Sequence, residues 1–519
     1  MVVDKIEPFR EFYDNIHGFI KVTELESKII DSPFFQRLRN IRQLGLIDYV
    51  FPGALHNRFN HSLGVLQIAD EMVVSLQENG ELLNKRELIR MAALLHDIGH
   101  YPLSHLVESV VKDDAKLKIK RVDKDDVKYK IEISEPSTKK DEIECIDLTG
   151  HKIHELNCQL HSSINYSANF AHHERMASLV IYQTEIFKIL KEGGYSSQNI
   201  QDIAQIIAGT YPGPEGLIIH SELDADRFDY LLRDSQQTGV IYGLFDMDQI
   251  IRNLLYDPIE NRLMVDEKAR KAVEHYLMCR YFFYSTVIYH KASVGFEWMA
   301  KEIYSGLMER KLVWSYFNLI DLFKDLESSK KFLAYNDSYF FNMLNSVANG
   351  NRAWSHDVEY KFQDEFLIEL IDKILNRKTL KLVKEEQKLI SIQNKEKLES
   401  DFLDSIFKKS IIKSVNIEDY WYIRFEKNID ITESSPYRSL NDTNYASADK
   451  DQSIKIFKKQ RDSITGKRII EYLVDDNTSI IHILGNYKLK INRLYTKNDE
   501  YKKNLNQHLD QHVKDSSSG

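Results

Sequence analysis

Between Glu24 and Val110 apolar residues return every three or four positions, as in Phe34-Phe35 followed by Leu38 and Ile41, and in Leu88-Ile89 followed by Met91 to Leu95. A period near 3.6 lays one apolar stripe along a helix, so this stretch predicts packed helices. From Lys112 to Ser162 the pattern changes to period two, in Lys116-Leu117-Lys118-Ile119-Lys120 and Tyr129-Lys130-Ile131-Glu132-Ile133, with polar breaks between. Successive strand side chains point to opposite faces, so this alternation predicts a small β-rich insertion. Helical spacing resumes near His172 and continues, through loops such as Tyr211-Pro212-Gly213-Pro214, to about Lys384. Lysine-rich chain follows, then two strand-like runs around Tyr420 to Phe425 and Ile469 to Leu473. The expected fold is mainly α. It has a helical core at 1–111 and 163–384, the insertion at 112–162, a smaller C-terminal α+β lobe at 385–510 and a disordered tail at 511–519.

The 519 residues include 70 basic and 79 acidic side chains, a formal charge of −9, and 43% are hydrophobic. That is the composition of a globular protein with a sizeable core. No run approaches the ~18 apolar residues of a membrane helix, and the charged start from Met1 to Phe12 does not read as a signal peptide, so a cytoplasmic location without membrane association is expected. Cys145, Cys158 and Cys279 are odd in number and lack paired spacing, against a disulfide framework. The negative charge lacks the basic stripe of a dedicated DNA binder, which makes nucleic acid a disfavoured partner.

Candidate chemistry concentrates in three places. His96 and Asp97 are adjacent at the end of an apolar helix, with His100 a turn beyond and Gly99 before it. Upstream, Arg58-Phe59-Asn60-His61-Ser62 opens another helix; downstream, Leu223-Asp224-Ala225-Asp226-Arg227-Phe228-Asp229-Tyr230 supplies carboxylates. Two imidazoles and two carboxylates, from His61, His96, Asp97 and Asp226, suit a six-coordinate Fe, Mn, Zn or Mg ion with positions left for water and substrate oxygens. A closed structural zinc site would normally draw on cysteine pairs. Asp226, Asp229, Tyr230, Arg233 and Asp234 share one helix face among apolar Phe228, Leu231 and Leu232, which points to a polar cavity rather than open solvent.

The blocks Asn57 to Val65, Leu95-His96-Asp97-Ile98-Gly99-His100 and Asp224 to Tyr230 resemble the HD-domain phosphohydrolases. Phe35-Gln36-Arg37-Leu38-Arg39, Gln43-Leu44-Gly45 and Val50-Phe51-Pro52-Gly53-Ala54 are similar to the deoxynucleoside triphosphate triphosphohydrolase branch, both its dGTPase-like members and the animal members, whose sterile alpha motif has no counterpart here. The resemblance implies an HD-domain helical core and hydrolysis of a dNTP to deoxynucleoside and inorganic triphosphate, with control of the nucleotide pool, including antiviral defence, as the associated role.

By matching position, His61, His96, Asp97 and Asp226 would hold the ion, and His105 would be the general acid, flanked by His100 and His173 and oriented by Glu108, which stands where animal members have aspartate. Arg58, Arg227 and Arg280 would contact phosphate oxygens. Tyr230 would pack under the sugar, Gln43 and Asp234 would bond the 3′ hydroxyl, and Leu44 would crowd a 2′ hydroxyl. Tyr289 is one residue away from the corresponding family tyrosine, so base preference does not carry over. Asp31, Gln36, Arg39, Arg377 and Lys381 match positions for an activating guanine nucleotide, which implies a nucleotide-gated homo-oligomer, dimer or tetramer. Two other classes compete: a different HD phosphohydrolase, such as a 5′-nucleotidase or metal nuclease, and a non-catalytic nucleotide sensor or nucleic-acid-binding scaffold using the lysines between Lys373 and Lys413.

Overall fold

The computed structural model describes residues 6–80, 85–124, 145–146, 152–153, 171–349, 364–391, 422–430, 454–461, 468–485, 487–503 and 506–507. The chain opens with an antiparallel hairpin, β1 (Arg10–Asp14) and β2 (Gly18–Val22). Asp14 closes its turn by accepting from the Ile16 and His17 amides at 2.9 and 3.1 Å, and Gly18 supplies the left-handed backbone at φ 70°. Helix α1 (Glu24–Ile30) starts at a Thr23/Glu26 capping box. The core is then built by α2 (Arg58–Glu78), α3 (Arg86–Leu95), α4 (His105–Lys124), α5 (His173–Gln183), α6 (Ser197–Ile207), α7 (Ala225–Thr238), α8 (Arg270–Phe283), α9 (Lys291–Glu309), α10 (Asp337–Ala348) and α11 (Glu365–Leu375).

The mainly α architecture follows from faces that cannot stay wet. Val65, Leu66, Ile68, Ala69, Met72 and Val73 of α2 are inaccessible to solvent, as are Ala92 to Leu95 of α3. Helix α2 packs on α3 and α7, α3 on α6, and α9 on α4 and α11. Each fully buried aliphatic side chain contributes about 1.5–3 kcal/mol toward folding. Because α3 ends inside this interior, His96 and Asp97 emerge from apolar packing rather than from the surface.

Strands β3 (Cys145–Ile146) and β4 (Lys152–Ile153) pair within the expected insertion. Further on, β5 (Leu254–Asp257), β6 (Arg262–Asp266), β7 (Lys381–Ser391), β8 (Tyr422–Asp430), β9 (Lys455–Arg461), β10 (Arg468–Tyr472) and β11 (Tyr487–Thr496) make two sheets. One is antiparallel in the order β7-β11-β8; the other runs β10-β9-β6-β5, with β6 and β9 parallel. The second sheet joins chain assigned to the core to chain assigned to the C-terminal lobe, and the buried Lys455 ammonium meets Asp257 across it at 2.9 Å.

Two readings of the pattern need correction. Helix α4 runs through Lys124, so Lys116 to Lys120 are helical where alternation predicted a strand. Five alternating residues do not outweigh a helix already propagating from His105, in chain whose five lysines between His105 and Lys124 are good helix formers. The span from His172 to Lys384 contains the β5–β6 hairpin and the start of β7 besides its helices. Tyr129 to Ile133 and the 511–519 tail lie outside the described residues.

Candidate metal centre and its pocket

Helix α2 is capped by Asn57, whose side chain accepts from the Asn60 amide, and one turn in it presents His61; α7 is capped by Asp224 in the same way and presents Asp226. His96 and Asp97 follow α3 directly. The four meet. His61 Nε2 is 2.9 Å from Asp226 Oδ1, 3.3 Å from His96 Nε2 and 3.8 Å from Asp97 Oδ2; His96 Nε2 is 3.5 Å from Asp97 Oδ1 and 3.9 Å from Asp226 Oδ1.

The ring states show what this geometry needs. His61 Nδ1 donates to Asp229 Oδ2 at 2.7 Å, and His96 Nδ1 donates to the Ala93 carbonyl at 2.7 Å. With Nδ1 so engaged, each ring aims Nε2 into the cluster, and the two Nε2 atoms lie 3.3 Å apart. A cation between them turns repulsion into coordination, and donor separations near 3 Å are those of neighbouring ligands in a shell with bonds of about 2.0–2.2 Å. Burial pulls the His61 ring down, but its bonds to Asp226 and Asp229 outweigh this and raise it to about 10. A proton is held where positive charge is wanted. The donor set fits a divalent metal ion, which HD domains bind.

Beside this cluster lies a second one. Glu108 Oε2 accepts from His105 Nδ1 and His173 Nδ1, both at 3.0 Å, and the His100 and His173 rings stack with centroids 4.2 Å apart. Burial would push Glu108 up, but His173 and His105 hold it well below the usual carboxylate range. The His173 ring, lowered by burial, is carried by Glu108 to about 9. Burial lowers His105 and, more strongly, His100, which Arg58 pushes down further. His100 Nε2 is buried and has no hydrogen-bond partner among the described residues. Glu108 thus serves both rings, its longer side chain notwithstanding.

Leu103 and Ser104, before His105, both adopt left-handed backbone at φ 53° and 56°. Two such residues in succession are strained. Asp337 fixes them, accepting from the Leu103 amide at 2.7 Å and the Arg42 amide at 3.0 Å, while Ser104 Oγ bonds the Arg42 carbonyl at 2.6 Å.

The expected substrate residues divide by partner. Arg58 donates to Asp97 Oδ2 at 2.9 Å and to Ser104 Oγ at 3.0 Å. Arg227 pairs with Asp224, and Arg280 with Glu222 at 3.1 Å; both feel Tyr230, whose hydroxyl accepts from Tyr284 at 3.1 Å. Gln43 and Leu44 line a cleft with Ser104, His105, Ile288, Glu297 and Lys301, and Gln43 Oε1 has no partner among the described residues. Asp234 is bound by His56 Nε2 at 2.6 Å, a contact the sequence reading lacked. Among the positions matched to an activator, Asp31 pairs with Arg10, Gln36 bonds the Ile30 carbonyl, and Arg39 bonds Gln36 and covers the Phe59 ring. Arg377 donates to the Tyr49 carbonyl and Lys381 pairs with Asp499. No reading singled out His17, Asp14 or His56, since each acts on a residue far along the chain.

The chain contains an HD domain: the model for that family matches residues 58–208, which include both histidine clusters but not Asp226. Among curated proteins it is 32% identical over 290 residues to the uncharacterized protein YwfO of Bacillus subtilis, covering 55% of this chain and 53% of that one. Similarity to the deoxynucleoside triphosphate triphosphohydrolase SAMHD1 of Mus musculus is higher but shorter, 47% over 108 residues, or 20% of this chain and 16% of that protein. The chain spans about half the length of the first curated relatives it matches. A hypothetical protein from Aquifex aeolicus shares the fold with TM-score 0.61 at 24% identity, covering 96% of this chain and 99% of that one. The HD domain and the clustered ligands together support a metal-dependent phosphohydrolase.

Proposed function

We propose that the protein hydrolyses deoxynucleoside triphosphates to deoxynucleoside and inorganic triphosphate. The observation that carries this reading is the adjacency of the His61, His96, Asp97 and Asp226 cluster to the His100, His105 and His173 cluster, with Arg58 between them. His61, His96, Asp97 and Asp226 would hold a divalent ion, which when bound would supply Lewis acidity at the phosphoryl group. Water attacks the α-phosphorus as its bond to the 5′ oxygen breaks; His105, its Nδ1–H held by Glu108, protonates that oxygen, and the proton of the attacking water passes to solvent. Burial depresses the basicity of His105, and an entering polyanion favours its charged form. His100 Nε2–H, without a partner of its own, donates to a phosphate oxygen.

Arg58, Arg227 and Arg280 neutralise the remaining phosphate charge, each held by a carboxylate until substrate arrives. Leu44 excludes the 2′ hydroxyl of a ribonucleotide, and Tyr230 supports the sugar. Asp31, Gln36, Arg39, Arg377 and Lys381 form the activator site of a homo-oligomer in the same reading. The test incubates metal-loaded protein with each dNTP and NTP and identifies the inorganic product. Triphosphate from dNTPs, lost in His96→Ala and Asp97→Ala, is expected. Pyrophosphate or phosphate as the first product would refute the reaction, and activity or mass unchanged by every added nucleotide would refute the gating.

A further inference from the structure

We propose that the N-terminal β1–β2 hairpin belongs to the metal centre, with His17 and Asp14 acting through Asp229 and Arg233 to fix the ring state and aim of His61. This rests on the metal-centre reading and extends it to residues 212 and 219 positions away from their partners.

The connection is a closed set of charged hydrogen bonds. Asp229 Oδ2 accepts from His61 Nδ1 at 2.7 Å and from Arg233 Nε at 2.8 Å. Its other oxygen accepts from His17 Nε2 at 2.6 Å and from an Arg233 amino group at 3.0 Å. Arg233 in turn grips both oxygens of Asp14, at 2.8 and 3.1 Å. The side chains of Asp229 and Arg233 are inaccessible to solvent, and those of His17 and Asp14 are 5% and 6% exposed.

With four donors around it, the Asp229 carboxylate cannot rotate or accept a different partner without leaving a buried donor unmet. His61 must therefore keep a proton on Nδ1, which leaves Nε2 as the nitrogen offered to a metal. Gly64 shows how tightly the set is built: a Cβ there would lie 1.8 Å from Asp229 Oδ1. The hairpin turn that delivers His17 is itself closed by Asp14, so one residue shapes the turn and anchors it to α7. An anchor alone needs only the Asp14–Arg233 pair. The His17 bond to the oxygen opposite His61 is what assigns the hairpin a positioning role.

The experiment titrates Mn2+ into chelator-stripped full-length protein and its His17→Phe and His17→Gln variants, reading the dissociation constant and the melting temperature without metal. Removing an outer hydrogen-bond partner of a metal-bound histidine weakens binding by about 10–100-fold, and that loss is expected for His17→Phe. Glutamine places an amide N–H near the histidine Nε2 position, so His17→Gln should recover most of the affinity. Unchanged Mn2+ affinity in folded His17→Phe, even with a lower metal-free melting temperature, would overturn the proposal and leave the hairpin a structural anchor. Wild-type protein that binds no Mn2+ would overturn the metal-centre reading itself, and this inference with it. Should His17→Phe fail to fold, Asp14→Asn gives the same reading, with weakened Mn2+ binding expected and unchanged binding refuting it.

Discussion

Gly99 offers a way to displace the clustered histidines His100 and His173 without touching either. A Cβ at this position would lie 2.3 Å from both the His173 carbonyl oxygen and the Ala177 amide nitrogen. These are backbone atoms in the first turn of α5, so no rotamer change can relieve the overlap. Reaching even a 3.0 Å contact requires the loop and the helix to part by about 0.7 Å. His173 leads that turn and carries the ring stacked on His100 and the bond to Glu108. Overpacking of this kind costs about 1–3 kcal/mol in stability. A misplacement approaching 1 Å costs about 100-fold in rate. Gly99→Ala should therefore melt several degrees lower and release triphosphate about two orders of magnitude more slowly. Its Mn2+ affinity should fall less, because two of the four ligands, His61 and Asp226, sit on α2 and α7, while His96 and Asp97 share the displaced segment. A variant with wild-type rate and melting temperature would refute the argument that this backbone contact sets the histidine geometry.

The His173 ring is raised to about 9 in the fold against an ordinary 6.5, so its stabilising contribution is full below about pH 6.5 and lost as pH rises through 9. Metal-free protein should melt progressively lower across that window, and His173→Gln should flatten the profile; a flat wild-type profile would contradict it. Asp337→Ala removes the acceptor for the Leu103 amide in the strained loop and for the Arg42 amide beside it, and should cost about 2–4 kcal/mol together with activity; an unchanged denaturation midpoint would show that Leu103 and Ser104 need no such support. Leu44→Ala should narrow the preference for dNTPs over NTPs by about tenfold in competition assays, while an unaltered ratio would place sugar selection elsewhere.

The metal cluster was legible because each ligand sits in a short local motif: a capped helix start for His61, a helix end for His96 and Asp97, a second capped start for Asp226. The pattern of apolar residues likewise foretold the helices that bury those ends. What escaped were arrangements fixed by distant partners. Nothing in residues 14–17 signals that Asp14 and His17 meet α7, nor does His56 announce its bond to Asp234. The strand-like runs at Tyr420 to Phe425 and Ile469 to Leu473 suggested a separate lobe, but the pairing of β9 with β6 is a choice of neighbour that neither strand encodes alone. In Lys116 to Lys120 local alternation lost to helix propagation, a contest the five residues could not decide by themselves.

Asp97 ties the two clusters together and suggests why they are built side by side. One oxygen is 3.5 Å from His96 Nε2, 3.7 Å from His100 Nε2 and 3.9 Å from His173 Nε2; the other takes the Arg58 guanidinium at 2.9 Å and lies 3.8 Å from His61 Nε2. Burial alone would raise this carboxyl, yet Arg58 and the surrounding rings hold it well below the usual range. A single carboxylate cannot give full charge to a guanidinium and to a divalent ion at once. If Asp97 held a divalent ion it would grip Arg58 less, and the forked donors of Arg58 would then match a phosphate better than a shared carboxylate. Metal loading and anion binding would in this way be coupled through one side chain, each making the other more favourable. The expected signature is reciprocal: triphosphate tightens Mn2+ binding in the wild type by the same factor that Mn2+ tightens triphosphate, and Arg58→Ala reduces both factors together. Equal and independent affinities in the wild type would refute the coupling while leaving the metal site intact.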